Sequence, residues 1–219
     1  MKRKLTVFIS ISLLLVTTAI LTEVNVYAAM EPPEVETITI QEFTEPYKKR
    51  FTMQSTPESV IEVLNFVEKS TDRQTNQLLK YVYPTYSDAQ LKSVSANLEQ
   101  TNKYLLNQNY KTKIVKGVLD IAQLKEELSK GRPVIAYLTS NGDYWIEQET
   151  AVIIFGYQKI KFPNRPEMIS YTYKSINHGK GAIYSGSENE IYLLLNEGII
   201  DPSANVTFKW DSTLYGFNK

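Results

Sequence analysis

From Tyr47 onward the chain divides into a helical half and a strand-rich half, and that division limits the fold more than any other feature. Before residue 130, apolar residues recur at helical spacing behind capping signals. Ser55-Thr56-Pro57-Glu58 reads as a helix start: a hydroxyl to cap free N–H groups, Pro in the first turn, and Glu three residues after Ser. Val60, Val63, Leu64 and Val67 then fall on one face. A second helix is expected at about 74–81, stopped by Pro84, and a third from Ser87, with Gln90 as capping partner, to about Leu106. Residues 112–118 read as a strand with lysines on its wet side, and 121–129 as a short helix ending before Gly131. Beyond that point β-branched and aromatic runs at 133–138, 144–157 and 168–173 read as strands. Ser187-x-x-Glu190 is expected to open a short helix to Asn196, and 206–210 to supply a late strand. Helices first and strands afterwards predict an α+β domain, a helical N-terminal half packed on an antiparallel β-sheet or barrel half, rather than a wound parallel sheet.

Composition excludes whole classes of function. The 219 residues contain no Cys, so there is no disulfide framework, thiolate zinc site, iron–sulfur cluster or thiol nucleophile. A single His leaves little for metal binding or base catalysis, and the scattered acidic residues lack calcium-loop spacing, so no metal and no cofactor is expected. Lys and Arg total 24 against 24 Asp and Glu, which removes the electrostatic basis for nucleic-acid binding.

Residues 1–28 read as a secretory signal peptide: Lys2, Arg3 and Lys4 form a positive head, residues 5–21 an almost uncharged stretch, and Val26-Tyr27-Ala28 a small-x-small cleavage site. The expected localisation is secreted or extracellular. An uncleaved membrane anchor, which would hold the domain at the cell envelope, is the alternative, because 17 residues are at the short edge of a bilayer span. Cleavage removes three basic side chains and Glu23, leaving a net charge of about −2. Residues 29–46, rich in Pro and Glu, read as an extended acidic leader in which 36–40 alternates and could add an edge strand. The domain is placed at 47–219.

Five segments of that domain resemble a known family in order and spacing. They are Ser55-Thr56-Pro57-Glu58-Ser59-Val60-Ile61-Glu62-Val63-Leu64-Asn65, Gln77-Leu78-Leu79-Lys80-Tyr81-Val82-Tyr83-Pro84, Gly131-Arg132-Pro133-Val134-Ile135-Ala136, Ala151-Val152-Ile153-Ile154-Phe155-Gly156, and the terminal Trp210-Asp211-Ser212-Thr213-Leu214-Tyr215-Gly216-Phe217. Together they resemble the staphopains, secreted bacterial cysteine proteases with a papain-like fold. The resemblance implies a nucleophile at the start of the first helix, a His at the head of the strand before Gly156, an Asn that orients it, and a Gln that helps hold the oxyanion. Matched residue by residue, the Gln position carries Lys49, the Cys position Ser55, the His position Thr150, and the Asn position, or its neighbour, Lys174. None of the machinery is retained. The expectation is a catalytically degenerate homologue, a pseudoprotease, that binds a polypeptide or protein in the former substrate cleft through Ser55, Tyr144, Trp145, Tyr157 and Tyr173.

The opposed reading is a peptidase or hydrolase of altered mechanism that uses Ser55 with Lys174 or with His178. A Lys base must lose its proton, which requires burial or positive neighbours, and His178 stands among Gly and Lys in a loop that reads as exposed. The plain reading is that Ser55 caps its helix and Lys174 is solvated. Weaker features are set aside: the glycines from Gly179 to Gly186 lack phosphate-loop spacing and read as a hairpin. Asn205-Val206-Thr207 matches a glycosylation acceptor within a predicted strand, and Lys111, Lys113 and Lys116 read as a solvated face.

Overall fold

The computed structural model describes residues 32–44, 54–140, 149–163, 165–175, 179–185, 190–195, 198–199 and 208–219. Residues 1–28, expected to be a signal peptide, and Lys49, Tyr144, Trp145 and His178 therefore lie outside the described residues. The chain divides into two units. In the smaller, residues 1–34 and 160–167, Lys161 pairs with Glu34 at 3.7 Å. The larger, residues 35–159 and 168–219, holds the core and every site discussed below.

Strand β1 (Glu34–Thr39) is followed by a 3-10 turn (Gln41–Thr44), then by helices α1 (Ser55–Glu68), α2 (Thr75–Val82), α3 (Asp88–Leu91) and α4 (Leu98–Asn107). Strand β2 (Lys113–Lys116) and helix α5 (Ile121–Ser129) lead into β3 (Val134–Ser140), β4 (Glu149–Lys161), β5 (Met168–Ser175), β6 (Gly179–Ser185), β7 (Glu190–Leu195), β8 (Gly198–Ile199) and β9 (Phe208–Tyr215). Helices thus precede the bulk of the sheet, and the α+β expectation holds. The sheet runs β2-β9-β3-β4-β5-β6-β7-β8, with β1 on β4, and β7 also pairs with β9. That last pairing closes a circuit through β9, β3, β4, β5, β6 and β7, which removes the open edges those strands would otherwise present. The β2–β9, β3–β4, β3–β9, β5–β6, β6–β7, β7–β8 and β7–β9 pairings are antiparallel.

Local chemistry explains the boundaries. Asp120 caps α5 by accepting from the N–H groups of Ala122 (3.0 Å) and Gln123 (3.3 Å). Gly131 ends it, because φ of +69° turns the chain so that the Arg132 N–H reaches back to Glu127 O at 3.0 Å. The single helix expected from Ser87 to Leu106 is two helices. The Ser87–Gln90 capping box forms but serves only the four residues of α3, and Asn97, whose Oδ1 accepts from Gln100 N–H at 2.9 Å, starts α4 afresh. The helix expected from Ser187 is also corrected. Residues 190–195 are strand β7, whose backbone is paired on one side with β6, from Ile191↔Ser185 to Leu195↔Gly181, and on the other with β9. Gly179–Ser185, expected to be a hairpin, is strand β6. Part of the segment read as a leader is ordered structure: it supplies β1 and buries Ile40 and Phe43.

Strand β4 is buried at every position from Thr150 to Tyr157. Helix α1 brings Val60, Ile61, Val63 and Leu64 to the same core, and both α1 and α5 pack on β3. Gly156 sits where β4 comes closest to its neighbours: a Cβ there would lie 2.8 Å from Thr172 Cβ and 3.3 Å from Thr39 Oγ1. On β9 the β3 register skips Asp211, with Tyr137 facing Ser212 and Leu138 facing Trp210. The bulge is held by a relay in which Trp210 Nε1 donates to Thr213 Oγ1 (2.8 Å), which donates to Gly117 O (2.7 Å). Gly156→Ala should therefore cost about 1–3 kcal/mol through overpacking, read as a lower urea midpoint with an unchanged slope.

Candidate functional site

The first turn of α1 sets the site. Its N-cap is Gln54, with φ −103° and ψ 28°, and Ser55 is the first helical residue. The expected Ser55–Glu58 capping box is thereby corrected, because the helix starts one residue earlier and Glu58 N–H bonds Gln54 O at 3.0 Å. The Gln54 side chain turns away from the helix end, its Nε2 donating to Leu91 O (2.7 Å) and Val94 O (3.0 Å), which ties the start of α1 to the segment after α3. Ser55 is 3% exposed.

Ser55, Ser59, Glu62 and Phe66 follow one another along a single face of α1. Lys174, from β5, reaches this face and forms an ion pair with Glu62. Its ammonium also lies 5.2 Å from the centroid of Phe43, which packs edge-on against Phe66 at 4.5 Å. The solvated Lys174 expected from sequence is corrected: the residue is 9% exposed, between a carboxylate and an aromatic face. Glu62 is seven residues beyond Ser55, about 10 Å along the helix axis. The Lys174 side chain is thus held between the Glu62 carboxylate and the Phe43 ring.

Thr150 stands opposite Leu138 in the β3–β4 register. It is fully buried, and its Oγ1 has no hydrogen-bond partner. Tyr157 and Tyr173, expected to line a cleft, are 1% and 0% exposed, so their rings belong to the core and offer no face to a ligand. Tyr157 packs against Tyr171 at 6.2 Å, and Tyr171 edge-on against Trp210 at 5.2 Å. Burial, with a smaller contribution from Tyr157, pushes the Tyr171 phenol up to about 12, and burial alone raises that of Tyr173. Among the described residues no group of three or more His, Asp or Glu could hold a metal ion, and no helix is long and apolar enough to cross a membrane.

An open cleft of about 1160 Å³ lies at the other end of α1. Its walls come from the turn after β1 (Ile40, Glu42), the end of α1 (Asn65 to Asp72), the α5–β3 turn (Lys130 to Arg132) and the chain end (Phe217 to Lys219). At its centre Glu68 accepts from Arg73 Nε and Nη2 (2.8 and 2.9 Å), Tyr110 OH (2.6 Å) and Lys219 Nζ (2.8 Å). The Arg73 guanidinium, foremost, holds this carboxyl well below the usual carboxylate range, while burial first and then the Glu68 carboxylate raise the Tyr110 phenol. Sequence reasoning missed Glu62, Glu68 and this cleft. The first was legible from its spacing to Ser55; the cleft was not, because it is assembled from segments scattered between residues 40 and 219.

No protein-family model matches the chain, and no curated protein matches it. Two outcomes test the geometry. Replacing the unpartnered Thr150 hydroxyl by a methyl, Thr150→Val, should stabilise the fold by about 1 kcal/mol, read as a higher urea midpoint. Glu68 is favoured as the anion in the folded state, so its stabilisation is complete above the ordinary carboxylate value and lost as pH falls below about 4. Glu68→Gln should cost about 1–3 kcal/mol at pH 7, and the gap to the natural chain should shrink progressively in acid, measured by denaturation across pH.

Proposed function

We propose that this chain is a secreted, papain-fold pseudoprotease of staphopain type that binds a polypeptide at the Ser55 end of α1 without cutting it. The observation that carries the reading is Thr150: the position matched to the catalytic His holds a buried hydroxyl without a hydrogen-bond partner among the described residues. A hydroxyl is no base near neutral pH, and an unactivated Ser is a poor nucleophile without one. The neighbouring positions agree. Ser55 starts the helix at which the family's nucleophile stands, and Lys174, in place of the orienting Asn, is committed to Glu62. The helix-first order and the antiparallel closed sheet are those expected of the papain-like arrangement.

Binding survives the loss of catalysis because recognition and bond cleavage draw on different groups. Of the residues expected from sequence to contact a polypeptide, Ser55 is itself buried and offers it no face, which leaves Tyr144 and Trp145, both outside the described residues. These aromatic residues supply area and hydroxyl or indole contacts at low entropic cost. Burial removes Tyr157 and Tyr173 from that surface.

The test is proteolysis of a generic unfolded protein by the purified chain, run beside Ser55→Ala and the Ser55→Cys, Thr150→His double variant. The natural chain and Ser55→Ala should be equally inert. Cleavage by the natural chain that disappears in Ser55→Ala would establish a serine mechanism and overturn the proposal.

A further inference from the structure

A second groove, on the helical side and sharing only Arg73 with the site residues described above, has a lining that the polypeptide reading does not employ. It lies between α2 and α4, with a volume of about 700 Å³. Asn76 and Lys80, and Gln77 and Tyr81, stack in successive turns on the exposed face of α2. Tyr104 and Gln108 are likewise one turn apart on α4, and Asp88 enters from the start of α3. Tyr81 is 44% exposed, and its ring is braced edge-on by the buried Tyr104 at 5.5 Å and 64°. One ring is thus rigidly held and open to solvent.

The charges around it are largely committed. Arg73 is bonded twice to Glu68 and once to Gln108 Oε1 (3.0 Å), and Lys80 donates to Tyr86 O. Gln77 spends its oxygen on Gln74 N–H at 3.1 Å and keeps its amide NH₂. The Asn76 amide, the Asp88 carboxylate and the Tyr81 hydroxyl have no hydrogen-bond partners among the described residues. The groove therefore offers an aromatic face beside a mixed set of neutral donors and acceptors and one carboxylate.

We infer that this groove binds a neutral oligosaccharide, with a pyranose ring on Tyr81 and its hydroxyls on Asn76, Gln77 and Asp88. Each sugar hydroxyl both donates and accepts, which matches primary amides, and a carboxylate takes two hydroxyl protons without needing a cation. The flat C–H face of a pyranose is the apolar surface that a fixed tyrosine ring can cover. A peptide that binds by adding a strand finds no sheet edge here, since both walls are helices. Nucleic acid is opposed by Asp88 and by the balanced charge of the chain.

The experiment is heteronuclear NMR on the ¹⁵N-labelled full chain, titrated separately with cellopentaose, maltopentaose, chitopentaose and a neutral pentapeptide. At least one of the sugars should give saturable shifts at the amides of Asn76, Gln77, Tyr81 and Gln108. Tyr81→Ala and Asn76→Ala, both at exposed positions, should weaken binding at least about tenfold with otherwise unchanged spectra, while Tyr81→Phe retains most of it. Absence of saturable shifts with all three sugars into the millimolar range overturns the inference. So do shifts confined to the Ser55 end of α1, or a response at the groove to the pentapeptide alone.

Discussion

Strand β4 is buried along its whole central run, and the rest of the molecule is arranged around that constraint. From Thr150 to Tyr157 no side chain reaches solvent, so the strand must be apolar almost throughout and must find backbone partners at every step. It finds them in β3, β5 and β1, and the close approach at Gly156 is the result of fitting neighbours on both sides. A hydroxyl at Thr150 is tolerated there at a cost, since nothing satisfies it. The same burial makes the position unsuited to a proton-transfer group unless a partner is built for it, and none is present among the described residues.

Electrostatics along α1 follow the same logic. Two carboxylates of the helix are met by cations: Glu62, at its middle, by Lys174, and Glu68, at its last residue, by Arg73 and Lys219. At mid-helix this pairing ties β5 to α1 through Lys174. At the far side it clamps the end of the chain onto the helix, through Lys219 on Glu68 and over the Tyr110 ring at 5.1 Å.

How much of this the sequence could reveal depended on whether the signal was local. Helix α5 was legible to the residue, because Asp120 and Gly131 mark its ends and Leu124 and Leu128 its buried face. The antiparallel sheet was legible from its β-branched runs. Residues 190–195 were not, since a short apolar run after a capping-type Ser reads equally as helix or buried strand, and only pairing with β6 and β9 decides between them. The extra helix start at Asn97 was masked by continuous helical spacing. At the site, Ser55, Thr150 and Lys174 were found by resemblance, but the burial of Tyr157 and Tyr173, and the engagement of Lys174 by Glu62, are tertiary facts with no local trace.

The central claim is that the serine at the start of α1 is not an activated nucleophile. It is tested most directly by incubating the chain with a serine-directed fluorophosphonate and weighing the intact protein and its peptides by mass spectrometry. The account predicts no adduct on Ser55 at neutral pH; stoichiometric, time-dependent phosphonylation of Ser55 would contradict it.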